Sequence, residues 1–213
     1  MARDHRIAQG DHLVRLAYRR FHQDVDSVWL HPRNAELRTL RSDPAVLAEG
    51  DLVHVPDAPP RRFSGLRTRR VHDIVLHLPE PQLRLALLRT SGIAYAAVRT
   101  RVTFDGEVQE HTPDAGGLIE LLLDVDTEEL RLEYDNQRVA LRVAHLQPVD
   151  HHAGWHARLE NLGYDPGPLD AETASDKLRL RSAIEEFQCD HGLAVDGVVG
   201  EKTMAKLLEV HGA

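Results

Sequence analysis

The sequence predicts an α+β multidomain protein: a small strand–helix–helix–strand unit, an antiparallel β-sandwich and a three-helix bundle. Apolar residues recur at helical spacing near both ends of the chain and at spacing two in the middle. A stretch rich in arginine and proline, with no apolar period, separates the first unit from the second. The 213 residues allow one large domain or two to three small ones. The boundaries fall at 4–57 for the first unit, 58–70 for the linker, 71–150 for the sandwich and 151–213 for the bundle.

Composition excludes several classes of function. With 34 acidic against 26 basic residues the chain carries −8, which argues against nucleic acid as a partner, because such binding needs a basic footprint that displaces counterions. No run of about 20 apolar residues is present, so no membrane insertion is expected. Met1 to Gly10 is polar and includes Asp4, unlike the apolar core of a secretory signal, so synthesis in the cytoplasm without such a signal is expected. Cys189 is the single cysteine, which rules out an intramolecular disulfide and a thiolate metal cage.

In the first unit, Ile7-Ala8-Gln9-Gly10-Asp11 reads as a short strand ending in a turn. Leu13, Leu16, Ala17 and Phe21 then mark a helix, with Asp11 placed to cap its start. Val25, Val28, Trp29 and Leu30 mark a second helix, stopped at His31-Pro32. After Asn34 and Pro44-Ala45-Val46-Leu47, the segment Leu52-Val53-His54-Val55-Pro56 alternates as a closing strand. The order of these elements, the opening Gly10-Asp11-His12-Leu13, Asn34 after the helices and the closing Gly50-Asp51-Leu52-Val53-His54-Val55-Pro56 together resemble the LysM domain. Two departures stand out. His12 replaces the usual Thr, and the stretch from Asn34 to Pro44 is longer than usual. The resemblance implies a shallow groove for N-acetylated glycans, built from Gly10, Asp11, His12 and Leu13 on one side and Pro44, Ala45, Val46 and Leu47 on the other. Backbone groups and small side chains suit an acetamide, which needs a donor, an acceptor and a small apolar contact. The alternative is a fold retained as a structural plug.

The linker carries Arg61, Arg62, Arg67, Arg69 and Arg70 against Asp57, with Pro59, Pro60 and Gly65. It reads as a solvated spacer, or as a docking arm for an acidic surface.

From residue 71 the period is two. Ile74–Leu78, Val98–Phe104, Glu107–Thr112, Leu118–Leu123, Leu130–Tyr134 and Arg138–Val143 read as strands, with Asp105-Gly106 as a hairpin turn. Short strands at this spacing spell a small antiparallel sandwich. Phe104-Asp105-Gly106 and Thr112-Pro113-Asp114-Ala115-Gly116-Gly117-Leu118 look like the strand-turn signature of prealbumin-like, carboxypeptidase-regulatory-type sandwiches, which implies a structural or interaction module. Asp114, Asp124, Asp126, Glu128 and Glu129 lack the spacing of an EF-hand and read as solvated loop charge.

In the last unit, Trp155, Leu159 and Leu162 mark a helix closed by Gly163. Leu180, Ala183, Ile184 and Phe187 mark a second helix ending at His191-Gly192, and Met204, Leu207 and Leu208 a third. Arg158-Leu159-Glu160-Asn161-Leu162-Gly163-Tyr164, then Phe187-Gln188, then Val195-Asp196-Gly197-Val198-Val199-Gly200-Glu201-Lys202-Thr203 strongly resemble the three-helix peptidoglycan-binding domain. The stretch Leu169-Asp170-Ala171-Glu172-Thr173-Ala174 lacks the turn glycines that family has in its first loop. The resemblance implies glycan contact at Leu162, Tyr164, Asp165, Leu169 and Phe187.

No nucleophile elbow and no His-Glu-x-x-His are present, so no catalytic residue, metal ligand or cofactor is expected, and the chain is expected not to be an enzyme. His151, His152 and His156 could suggest zinc on one helix, but lack the remaining ligands of a closed site, and His156 reads as a surface residue. The modules together imply a non-catalytic protein that binds GlcNAc-containing peptidoglycan and targets or anchors a complex to the bacterial wall. The alternative is an adaptor in a contractile injection system, type VI or phage-tail-like, to which the three-module arrangement looks similar. There its partners are tail spike or baseplate proteins or secreted effectors, and its place is the cell envelope or the apparatus itself.

Overall fold

The computed structural model describes residues 3–20, 24–41, 43–58, 64–73, 80–89 and 92–212. Phe21, Pro59, Pro60, Arg61, Arg62 and the predicted strand at 74–78 lie outside the described residues. The architecture mixes helices with antiparallel sheets and divides into two compact units, one of Met1–Ala45 with Gly50–Ala144 and one of Val46–Glu49 with His145–Ala213.

The first unit opens with β1 (Arg3–Arg6), paired antiparallel with β2 (Leu52–Val55) in the register Asp4 to His54. Between them lie α1 (Leu13–Arg19), α2 (Asp26–Trp29) and α3 (Ala35–Leu40). Two expectations change here. The cap of α1 is His12 and not Asp11: His12 Nδ1 accepts the Arg15 N–H at 3.4 Å, while the Asp11 carboxylate turns back to the Ala8 N–H and the His5 ring. Pro32 does end the α2 segment, yet it also starts a 3-10 turn, Pro32–Asn34, that leads directly into α3. A third helical piece therefore occupies much of the long stretch before Pro44. Ile7, Leu13, Leu16, Ala17, Val28, Trp29, Leu37, Val53 and Val55 are the buried apolar residues of this part.

Residues 64–73, the described end of the linker and the start of the segment after it, are all exposed. Beyond them, β3 (Gln82–Ala86) pairs with β6 (Leu118–Leu122), and β4 (Thr100–Phe104), β5 (Glu107–His111), β7 (Glu129–Tyr134) and β8 (Gln137–Arg142) form a sheet in the order β5-β4-β7-β8. Alternation puts Val102, Phe104, Leu130 and Leu132 from the large sheet into one core with Ile119 and Leu121 from the small one. β3 was missed in the sequence, because Gln82, Arg84 and the neighbouring Pro79 and Pro81 interrupt the apolar signal. The Asp105-Gly106 turn joins β4 to β5, and Asp135-Asn136 joins β7 to β8; all four residues have positive φ, as tight hairpins require. Gly117 sits where β3 and β6 meet. A Cβ there would lie 2.5 Å from the Leu87 carbonyl oxygen, so only glycine fits.

The second unit contains α4 (His152–Asn161), α5 (Ala174–Asp190) and α6 (Glu201–His211) around Leu159, Ile184, Phe187 and Leu207. Leu208, expected in the core, is exposed, and Thr203 is buried instead. The unit begins at residue 145 because the lead-in is built into it. Val149 packs on the core, and the buried Arg158 donates from Nη1 to the Gln147 and Gly154 carbonyls at 2.8 and 2.9 Å. Likewise the N-terminal βααβ part and the sandwich belong to one unit rather than to two beads on a linker.

Candidate functional site

In the second unit the residues of the sequence motif form a scaffold. Gln188, fully buried on α5, accepts the N–H groups of Asp196 and Gly197 through Oε1, both at 3.0 Å. Its Nε2 faces Asp196 Oδ1 at 2.8 Å, the Val198 carbonyl at 3.0 Å and Thr203 Oγ1 at 3.2 Å. The Val198 N–H and Gln188 together hold the Asp196 carboxyl below its usual range. One amide side chain thus sets the shape of the loop before α6. This turns Phe-Gln and Val-Asp-Gly-x-x-Gly-x-x-Thr into a description of how the loop is held.

Phe187, proposed to touch glycan, is 0% exposed. It lies on the same α5 stripe as Ala183 and Ile184, so its ring faces the core and cannot reach a ligand. The other four residues of that set differ among themselves. Leu162 and Tyr164 are half-buried and pack on the core, Asp165 is exposed, and Leu169 is 41% exposed. The Tyr164 ring meets Phe187 edge-on at 5.5 Å, and its hydroxyl donates to Asp190 at 3.0 Å. Burial, together with that carboxylate, pushes the Tyr164 pKa up to about 12, so the phenol stays a neutral donor. Asp165 is paired with Arg179 at 2.6 Å, which holds its carboxyl low. The loop without turn glycines closes differently: Thr173 caps α5 by accepting the Asp176 N–H, while the Asp176 carboxylate accepts the Thr173 N–H. The result is a rim from Tyr164 to Leu169 with one apolar projection, Leu169, and one internally neutralised ion pair, Asp165 with Arg179. Such a rim suits a neutral, hydroxyl-rich or acetamido ligand.

His156, read as a surface residue, is buried. Its helix position turns it inward under the 165–168 loop; burial lowers its pKa, against the pull of Glu160 and the Gly167 and Pro168 carbonyls. Among the described residues its Nε2 has no hydrogen-bond partner. Its ring is 6.4 Å from Trp155 and 5.9 Å from His152. Among the described residues no group of three or more His, Cys, Asp or Glu is placed to hold a metal ion.

The predicted N-terminal groove is split. Gly10, Asp11, His12, Leu13, Pro44 and Ala45 belong to the first unit, Val46 and Leu47 to the second, where the Glu49 N–H donates to Gln147 Oε1 at 3.3 Å. His12 is 8% exposed and Leu13 and Leu47 are buried, so these three side chains line no open surface. The reason for His12 is direct. The loop between β6 and β7 lies against the start of α1, and the Val125 carbonyl accepts from both His12 Nε2 and Arg15 Nε at 3.2 Å. Asp126 pairs with Arg19 at 3.0 Å and with Arg15 at 3.4 Å, and Glu128 with Arg15 at 3.5 Å. The acidic residues of this loop, read as solvated, are therefore partly engaged by arginines of α1. The hydrogen-bond pattern assigns His12 the tautomer with its proton on Nε2. Burial and then Arg15 lower its pKa, which keeps it neutral.

A shallow depression of roughly 540 Å³ lies on the outer face of the four-stranded sheet. Its charges sit in cross-strand register, Glu110 opposite Arg101, Arg101 opposite Glu133 and Glu133 opposite Arg138, and they neutralise one another, with Arg101 at 3.1 Å and Arg138 at 3.3 Å from Glu133. Exposed pairs of this kind contribute about 0–1 kcal/mol each and form no reactive cluster.

Residues 156–207 match the family model of a peptidoglycan binding domain. No curated protein and no solved structure matches the chain. The matched segment runs from His156 on α4 to Leu207 on α6, and includes Arg158, Gln188, the 195–200 loop and Thr203. No helix among the described residues is long and apolar enough to cross a membrane.

Proposed function

We propose that the chain is a non-catalytic wall-binding protein that holds GlcNAc-containing peptidoglycan through the Tyr164–Leu169 rim and so targets or anchors a complex to the bacterial envelope. The observation that carries this reading is the peptidoglycan-binding match at 156–207, over a segment whose motif residues build the loop scaffold and leave a neutral rim exposed. Leu169 supplies the apolar contact for an acetamide methyl. The test is retention of the full chain on purified peptidoglycan at physiological salt. Retention is expected, together with its loss in Leu169→Asp, a substitution at an exposed position that leaves the core intact. A wild-type chain that washes off overturns the reading.

One observation favours a second reading, an adaptor in a contractile injection system. The opening loop of the LysM-like part is engaged by polypeptide, through His12 and Arg15 on the Val125 carbonyl, and not left open for sugar. Under this reading the chain fails to sediment with peptidoglycan and co-purifies with spike or baseplate proteins.

A further inference from the structure

The four-stranded sheet ends in two unlike edges. All its neighbouring strands are antiparallel, so β5 and β8, three steps apart, run in opposite directions. The two-residue turns Asp105-Gly106 and Asp135-Asn136 make Phe104–Glu107 and Tyr134–Gln137 the closing hydrogen-bonded pairs of their hairpins. Bonded and non-bonded pairs then alternate along each hairpin. The backbone groups of Val108 and Glu110 on β5, and of Arg138, Ala140 and Arg142 on β8, therefore point out of the sheet. Among the described residues they meet no partner, and all five residues are exposed. Charge separates the two edges. β5 carries Glu107 and Glu110 and no Arg or Lys, whereas β8 carries Arg138 and Arg142 and no Asp or Glu. One row across the outer face reads Glu110, Arg101, Glu133, Arg138 from β5 to β8, changing sign at every step. At its end Arg138 meets Glu133 at 3.3 Å on the inner side, and its side chain is still 85% exposed.

We propose that copies of this chain join head to tail through these edges, β8 of one copy against β5 of the next, so that the sheet continues from copy to copy. A neighbour in the same orientation brings its β5 antiparallel to β8 and keeps both apolar faces on one side. Arg138 then stands opposite Glu110 and Ala140 opposite Val108, the residues whose backbone groups point outward, and the alternating row runs on without a like-charge step. Val139 and Leu141, half-buried at the border of the core, gain a neighbouring strand. Pairing of like edges is opposed. Two β8 strands centred on Ala140 set Arg138 against Arg142, and two β5 strands crowd glutamates with no Arg or Lys between them. Glu107, Gln109 and Glu110 put polar groups on both faces of β5, which turns away apolar strands and selects a cationic one. The contact is heterologous, so each added copy leaves one edge of each kind free, and the twist of the sheet winds the row into a helix or a ring. Each copy also adds one more second unit, which multiplies any weak contact that unit makes with a repeating polymer. The edge contact itself does not depend on the wall-binding reading.

The experiment is sedimentation velocity on the full chain at concentrations up to about 1 mM. Wild type is expected to grow in mass with concentration beyond a dimer. Val108→Pro and Ala140→Pro each remove one outward N–H from an edge strand, where proline is tolerated. Each variant alone is expected to be monomeric. Mixed, they are expected to form one-to-one dimers and nothing larger, because one supplies an intact β8 and the other an intact β5. Where circular dichroism shows that a proline variant has not folded, Glu110→Arg and Arg138→Glu take its place. Each of these alone loses association, and mixing them restores it. A wild type that stays monomeric throughout, a single blocked variant that still associates, or a mixture that stays monomeric each overturns the proposal.

Discussion

The side-chain amide of Asn34 stands in for a strand beside His54: its Nδ2 donates to the His54 carbonyl at 2.8 Å and its Oδ1 accepts the His54 N–H at 2.7 Å. The same Nδ2 also meets the Val28 carbonyl at 2.7 Å, so one fully buried residue joins β2 to the end of α2. Loss of this amide strands the His54 N–H and carbonyl away from water, while the Val28 carbonyl keeps the His31 N–H, at a cost of about 2–4 kcal/mol. Asn34→Ala is therefore expected to lower stability by that amount and to speed hydrogen exchange at Val53, His54 and Val55. Exchange unchanged at these three amides would contradict it.

Gln188→Leu keeps the volume of the side chain and removes its five polar contacts. The Asp196 and Gly197 N–H groups lose their acceptor, and the second unit is expected to lose about 2–4 kcal/mol. Because the two units need not unfold together, the measurement is exchange at 195–203 against exchange in the sandwich, and not a single melting curve. An equal effect in both units would refute a local role.

Gly154 lies under the lead-in to α4. An added Cβ would come within 1.8 Å of the Pro148 carbonyl oxygen and 2.6 Å of the Gln147 carbonyl oxygen. Gly154→Ala gains helix propensity yet has to push this backbone away, which also pulls Gln147 from Arg158. A net loss of about 3 kcal/mol in the second unit is expected, read by denaturant unfolding monitored at Trp155. A variant as stable as wild type would show that the lead-in yields freely.

Acid is expected to loosen both units. The His12 and His156 pKa values are lowered by burial, and that of His211 by burial and then by Arg158. A folded pKa below the unfolded value of 6.5 means that the unfolded chain binds protons first. The stability held by these neutral rings is complete above pH 6.5 and falls as pH drops from there through the folded values. Protonation of His12 also turns Nδ1 into a donor, which abolishes its cap on the Arg15 N–H. Melting temperature should decline steadily below pH 6.5, and His156→Phe should flatten the decline in the second unit. A profile level between pH 7 and 5 would be the contrary result.

Most secondary structure was legible where the apolar period was clean. Val102, Phe104, Leu130 and Leu132 alternate without exception, and the α5 stripe repeats without a break, so the large sheet and the long helix were found with their faces correctly assigned. β3 and α3 were hidden, the first by prolines and charges and the second by a proline that begins one turn while it ends another. The site was less legible than the fold. Motif spacing picked out Phe187 and Gln188, but could not tell a residue that faces a ligand from one that faces the core. Nor could any local pattern reveal that Val125 meets His12 across 113 positions. That contact depends on which way a sandwich loop leans, and its only trace in the sequence was a histidine where Thr was expected.

The Gln188 arrangement also separates two jobs that a short motif usually blurs. The 195–200 turn is fixed by Gln188 on α5, by Thr203 on α6 and by its own Asp196, while Leu169 on the rim is exposed. Evolution, or a protein engineer, can therefore rewrite the outer lip for a different wall chemistry while the chassis beneath it keeps its shape.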